Sequence, residues 1–229
     1  MKHIAPKPTG LAGRRRWAAV ALLASVGALG CRGSTPSTRH YTLVTPDEKP
    51  PLEESSAPAP GRMTGPVLVI EDFSADAAYV DLRMAYRTEP VRLDYYAYHQ
   101  WAALPGVLVA DQLRILLEQT GRFRSVTRNP TGQADAFLEG RVSRFEEVDV
   151  SADKWMGVIV LDLRLEDAST RETLASQTAR AEVELTERSP AGLAWALSRG
   201  LTQIAARWGA EWAALADRGE ASRSAQADQ

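Results

Sequence analysis

Cys31 is the only cysteine among 229 residues, so the chain cannot close an internal disulfide and that sulfur must serve another chemistry. Beyond the first thirty residues only His40 and His99 supply imidazoles, too few with one thiol to build a Cys/His zinc cluster. A secreted hydrolase would need one of those two histidines as a base beside a nucleophile. No nucleophile elbow, phosphate-cradling glycine loop or dinucleotide fingerprint is present. Carboxylates paired at Glu146 with Glu147, and at Asp149 with Asp153, are candidates for acid–base work. A solvated strand end is the commoner meaning, because charges are seldom buried without partners, and that is the expectation here. The sequence thus predicts a non-enzyme, with neither catalytic residues nor a metal site.

Side chains suited to contact are concentrated in Asp94 to Trp101 (DYYAYHQW), which holds three tyrosines, a histidine and a tryptophan. Tyrosine and tryptophan join a large apolar area to a polar handle, which suits interfaces with proteins or lipid headgroups. The candidate contact residues are Tyr86, Tyr95, Tyr96, Tyr98 and Trp101, with Trp195 added because it lies off the apolar stripe of its helix. For any one ring the competing reading is a strand whose alternate rings join the core.

The first thirty residues carry five Lys and Arg and no Asp or Glu. Arg14, Arg15 and Arg16 form a positive region, Trp17 to Leu29 is an unbroken apolar and small-residue run, and Gly30 precedes Cys31. Thirteen helical residues span about 20 Å, short of the roughly 30 Å hydrocarbon core, so residues 1–30 read as a cleaved signal peptide. The run before Cys31 resembles the lipobox of bacterial lipoproteins, in which the cysteine becomes an acylated N-terminus. It departs from that pattern in having Ala28 three places upstream, with Leu29 one place late. Lipidation of Cys31 is therefore the expectation, and a covalent lipid the sole cofactor. Ordinary secretory cleavage after Ala28, leaving a free thiol, is the alternative. The three arginines also hint at twin-arginine export, which Trp17 and Ala18 fit poorly. Without the leader, 22 basic residues face 29 acidic ones, a formal charge of −7 that argues against nucleic acid as a partner.

The elements that must position these residues follow from patterning. Residues 31–64 are expected to hold the anchor, a short strand at His40 to Val44 and a Pro-rich linker from residue 46. His40 follows Cys31 by only nine positions, about 30 Å fully extended, which keeps the domain close to its membrane. A domain is expected over 65–217. It opens with Gly65 to Phe73, a strand buried on both faces, and a hairpin of Leu82–Thr88 with Val91–Tyr98 follows. Leu104 to Thr120 predicts a helix ended by Gly121, and Phe123 to Arg128 a short strand. Three long strands span Ala134 to Glu187; Ile159, Leu161, Leu163 and Leu165 alternate with Val160, Asp162, Arg164 and Glu166, and a phase shift near Ser143 and Arg144 predicts a bulge. Ser189 and Pro190 start a long amphipathic helix through Trp208, Trp212 and Leu215, and residues 218–229 are expected to be a disordered tail. The predicted class is α+β: a largely antiparallel sheet backed by two helices in one two-layer domain.

The run Met84 to Trp101 (MAYRTEPVRLDYYAYHQW), the helix ending in Leu116 and Leu117 and the early Tyr41-Thr42-Leu43 resemble the ABC-type transport auxiliary lipoproteins. The likeness extends in order over most of the chain, with an imperfect lipobox and a long Pro-rich gap as departures. The resemblance implies a periplasmic lipoprotein, a non-catalytic accessory of an MCE-type ABC transporter that moves phospholipids or other hydrophobic molecules between membranes. Partners would be transporter or MCE-protein components, the membrane through its anchor, and a homo-oligomeric copy. Arg32 after the cysteine, in place of an inner-membrane retention Asp, favours the outer membrane. The alternative function is an outer-membrane assembly or envelope scaffold lipoprotein.

Overall fold

The computed structural model describes residues 36–46, 65–129 and 134–227, with side chains to Arg218; the expected signal peptide, Cys31 and most of the expected linker lie outside that set. From Thr38 onward the chain forms one unit.

Strand β7 (Ala136–Ser151) is the spine. One edge pairs along its length with β8 (Lys154–Asp167), which pairs in turn with β9 (Thr173–Glu184), both antiparallel. The other edge of β7 takes three short segments in chain order: β2 (Val67–Ile70), β3 (Ser74–Ala75) and β4 (Arg83–Glu89), all parallel to it. Outside them, β5 (Arg92–Trp101) pairs antiparallel with β4, β1 (Arg39–Tyr41) is parallel to β5, and β6 (Ser125–Thr127) is parallel to β2.

The α+β class holds, but the sheet is mixed, with five of eight strand pairings parallel. The cause is the crossover. Helix α1 (Pro105–Gln119) carries the chain back to the end where β2 began, so β7 must run in the direction of β2 to β4. Gly121, at φ +62°, turns the chain out of α1 in a left-handed conformation that a Cβ would strain.

The bulge expected near Ser143 is present: Val142 faces Leu161 while Arg144 faces Val160, leaving Ser143 over. Ile159, Leu161, Leu163 and Leu165 are buried as their alternation requires. Val160 and Glu166, placed by that pattern on the wet face, are covered too; Glu166 lies beneath Arg164 and Arg171 at 3.0 and 3.1 Å.

Helix α2 (Pro190–Ala227) covers β8 and β9 through Leu193, Leu197, Leu201 and Ile204. Its start is fixed by Ser189, whose Oγ accepts the Gly192 N–H at 3.0 Å. Gly157 of β8 admits the helix, because a Cβ there would sit 2.7 Å from that of Ala196. The expected unstructured tail after Asp217 is helical through Ala227. The helix-forming Ala, Arg, Glu and Gln of this segment outweigh the polarity that suggested fraying.

Candidate functional site

The carboxylates expected at a solvated strand end are at the centre of the molecule. Glu146 and Glu147 are both 0% exposed, adjacent on β7 where β4 lies alongside. Asp149 is mostly covered and Asp153 is exposed.

Glu146 is enclosed by cations. Arg87 donates from Nε and Nη2 to its two oxygens at 3.1 Å each, Arg144 donates from Nε at 2.8 Å, and the Tyr79 hydroxyl donates at 2.9 Å. Burial alone would raise the Glu146 pKa; the hydrogen bonds from Arg87, Arg144 and Tyr79 outweigh it and hold the carboxyl below its ordinary range. The Tyr79 hydroxyl is pushed up to about 12 by burial and then by the Glu146 charge.

Glu147 has the opposite surroundings. Tyr96 donates to its Oε2 at 2.8 Å, but Oε1 has no hydrogen-bond partner among the described residues and meets only Arg188 Nε at 3.5 Å. Burial, reinforced by Asp149, raises its pKa against the pull of Tyr96 and Arg188. Arg188 donates to Asp149 at 2.5 Å and lies 5.2 Å from the Trp155 ring centre.

Two neighbouring acids with divergent affinities for a proton are the pattern of an acid–base pair. Here Glu146 has both oxygens engaged and neither acid reaches solvent. Two open depressions lie nearby: one of about 430 Å³ lined by Tyr86, Tyr95, Tyr96, Ala97, Arg188 and Pro190, and one of about 490 Å³ lined by Arg87, Glu89, Pro90, Arg144, Val148 and Asp149. Both are walled by the groups that hold the acids, not by the acids themselves. The arrangement rivets the β4–β5 hairpin to the spine.

The aromatic candidates separate into two kinds. Trp101 is fully buried against Phe145, with ring centres 4.8 Å apart. Tyr95 and Tyr96 are half-buried, tied through their hydroxyls to Ala78 O and Glu147, and the Tyr86 ring packs tilted against Tyr96, centres 4.9 Å apart. Tyr98 and Trp195 stand out from the surface at 44% and 46% exposure. His99 is half-buried, with Nδ1 2.8 Å from the Tyr41 hydroxyl, and His40 is exposed. Among the described residues no His, Cys, Asp and Glu cluster has the make-up of a metal site, and no helix is long and apolar enough to cross a membrane.

Fold and site together define a small α+β domain in which one long strand gathers a crossover unit on one edge and a meander on the other. The chain belongs to the ABC-type transport auxiliary lipoprotein component family, whose family model matches residues 41–207. A crystal structure of a Xanthomonas campestris protein, family DUF330, aligns at 22% identity and TM-score 0.61, covering 69% of this chain and 90% of that one. A solved structure of an uncharacterized protein aligns at 15% identity and TM-score 0.61, covering 77% and 99%. At these identities the likeness is one of fold. No curated protein matches the chain.

Proposed function

We propose that the chain is acylated on Cys31, held in the periplasm at the outer membrane, and serves as the non-catalytic auxiliary component of an MCE-type ABC system that moves phospholipids or other hydrophobic molecules. The observation that carries this reading is the family match over residues 41–207, set behind a sole cysteine that follows an apolar leader. Arg32 supports the outer membrane over the inner.

In this reading the protein part supplies recognition and the lipid supplies attachment. Acyl chains contribute about 0.8 kcal/mol per buried CH₂, so two or three chains hold a domain of this size without further help. Tyr98 and Trp195 are the aromatic candidates with area left for a partner. Tyr86, Tyr95 and Tyr96 shape the depression beside them through their ring edges, and Trp101 acts from the core by holding β5 in place.

Pull-down of the tagged protein from crosslinked cells tests the assignment. Recovery of an MCE-like protein together with a permease is the expected result; recovery of peptidoglycan-associated proteins alone would support an envelope scaffold instead.

A further inference from the structure

The end of the sheet where the β4–β5 hairpin turns exposes apolar side chains among its charged ones, at a place where turns are ordinarily polar. Its tip reads Glu89-Pro90-Val91-Arg92, and Val91 is 93% exposed. Because Arg87 of β4 lies opposite Val148 of β7, the tip comes out level with Val150, itself 58% exposed, and with the exposed Ala152 in the β7–β8 turn. The charges here nearly balance, exposed Glu89 leaving one negative charge over. Arg92 pairs with Asp94 at 2.7 Å, and exposed Asp153 is followed by exposed Lys154.

The chain enters β1 from the same end. Strand β1 is parallel to β5 with Arg39 opposite His99, so the chain runs into β1 from the direction of the hairpin tip. Arg39 follows Cys31 by eight positions, and His99 follows Val91 by eight. Each span is about 26 Å when extended, so an acyl group on Cys31 can lie level with Val91 without the chain reversing.

We propose that Pro90 and Val91, with Val150 and Ala152 beside them, seat on the surface of the bilayer that holds Cys31. This rests on the acylation reading. So few apolar side chains do not bind a membrane from solution. A tether makes the contact intramolecular and supplies the effective concentration that lets them orient the domain. The long axis of β7 then stands away from the bilayer and carries the β8–β9 turn, at the opposite end of the spine, roughly 50 Å into the periplasm. With no surplus of positive charge at the tip, the contact with a zwitterionic surface does not depend on salt.

The test uses the full-length acylated protein in phosphatidylcholine vesicles carrying nitroxide-labelled acyl chains. Acylation consumes the native sulfur, so Val91→Cys and, at the far end, Glu172→Cys each provide a single site for an environment-sensitive dye. At position 91 the dye should shift to the blue and be quenched by roughly twofold or more, in low and high salt alike, while at 172 it stays in water. Protein that floats with the vesicles yet shows an unquenched dye at 91, or equal quenching at 91 and 172, overturns the proposal. A blue shift without lipid quenching places another copy over the tip and overturns it too. Failure to float refutes the acylation itself, and the seating of the tip falls with it.

Discussion

Two adjacent glutamates with opposite surroundings should leave opposite marks on stability. Glu146 binds its proton less tightly folded than unfolded, so its contribution is present above about pH 4.5 and is lost as pH falls. Glu147 binds its proton more tightly folded, so stability declines as pH rises from about 4.5 through its raised value. Urea unfolding midpoints of Glu147→Gln should therefore show a flatter profile between pH 5 and 8, with no loss at pH 8. Glu146→Gln, which removes the charge facing Arg87 and Arg144, should cost about 3 kcal/mol at pH 7 and shrink the acid-side loss. A larger cost for Glu147→Gln than for Glu146→Gln at pH 7 would contradict this assignment. Trp101→Ala should cost about 3 to 5 kcal/mol, whereas Tyr98→Ala should stay within about 0.5 kcal/mol in the same denaturation series while reducing partner recovery in pull-downs. Reading the sequence placed the aromatic run correctly on a strand but could not sort its rings, because period two is broken where β5 shifts register against β4 between Tyr95 and Gln100. Burial of the acids was legible only in part: Arg144, two residues before Glu146 and so on its face, was a signal, but Arg87, Tyr79 and Arg188 arrive through tertiary structure.

Among the elements, those with a strong local period could be read to within a few residues. Ser189 and Pro190 marked the start of α2, Gly121 the end of α1, and the phase shift at Ser143 the bulge in β7. Strand direction could not be read the same way. Short β2, β3 and β4 look like separate strands of a meander, and only the long-range pairing of Leu68 with Ala136 and Tyr86 with Glu147 reveals one parallel edge. Close approach of α2 to β8 gives a test at this scale. Gly157→Leu should push Ala196 and Leu197 outward and cost about 1 to 3 kcal/mol by calorimetry or urea, while Gly121→Asn, compatible with a left-handed turn, should cost well under 1 kcal/mol. Equal effects would mean that α2 is not seated on β8 through that glycine. Ser198 joins the layers further out, accepting the Val44 N–H at 3.1 Å and donating to Ala194 O at 2.7 Å, so Ser198→Ala should loosen the segment after β1 and raise its amide exchange by about tenfold.

At the scale of the whole molecule, the residues from Thr38 onward form one domain, and the family places it among lipoproteins of ABC-type transport. The proposed attachment to a membrane, location at the outer membrane and service to an MCE-type system all depend on what happens at one sulfur. Mass spectrometry of the purified native protein, after growth with radioactive palmitate, measures that directly. The account predicts a labelled polypeptide whose first residue is a diacylglyceryl-modified Cys31 and whose label and membrane association both vanish in Cys31→Ser. An unlabelled chain beginning at Leu29 with a free thiol would contradict it.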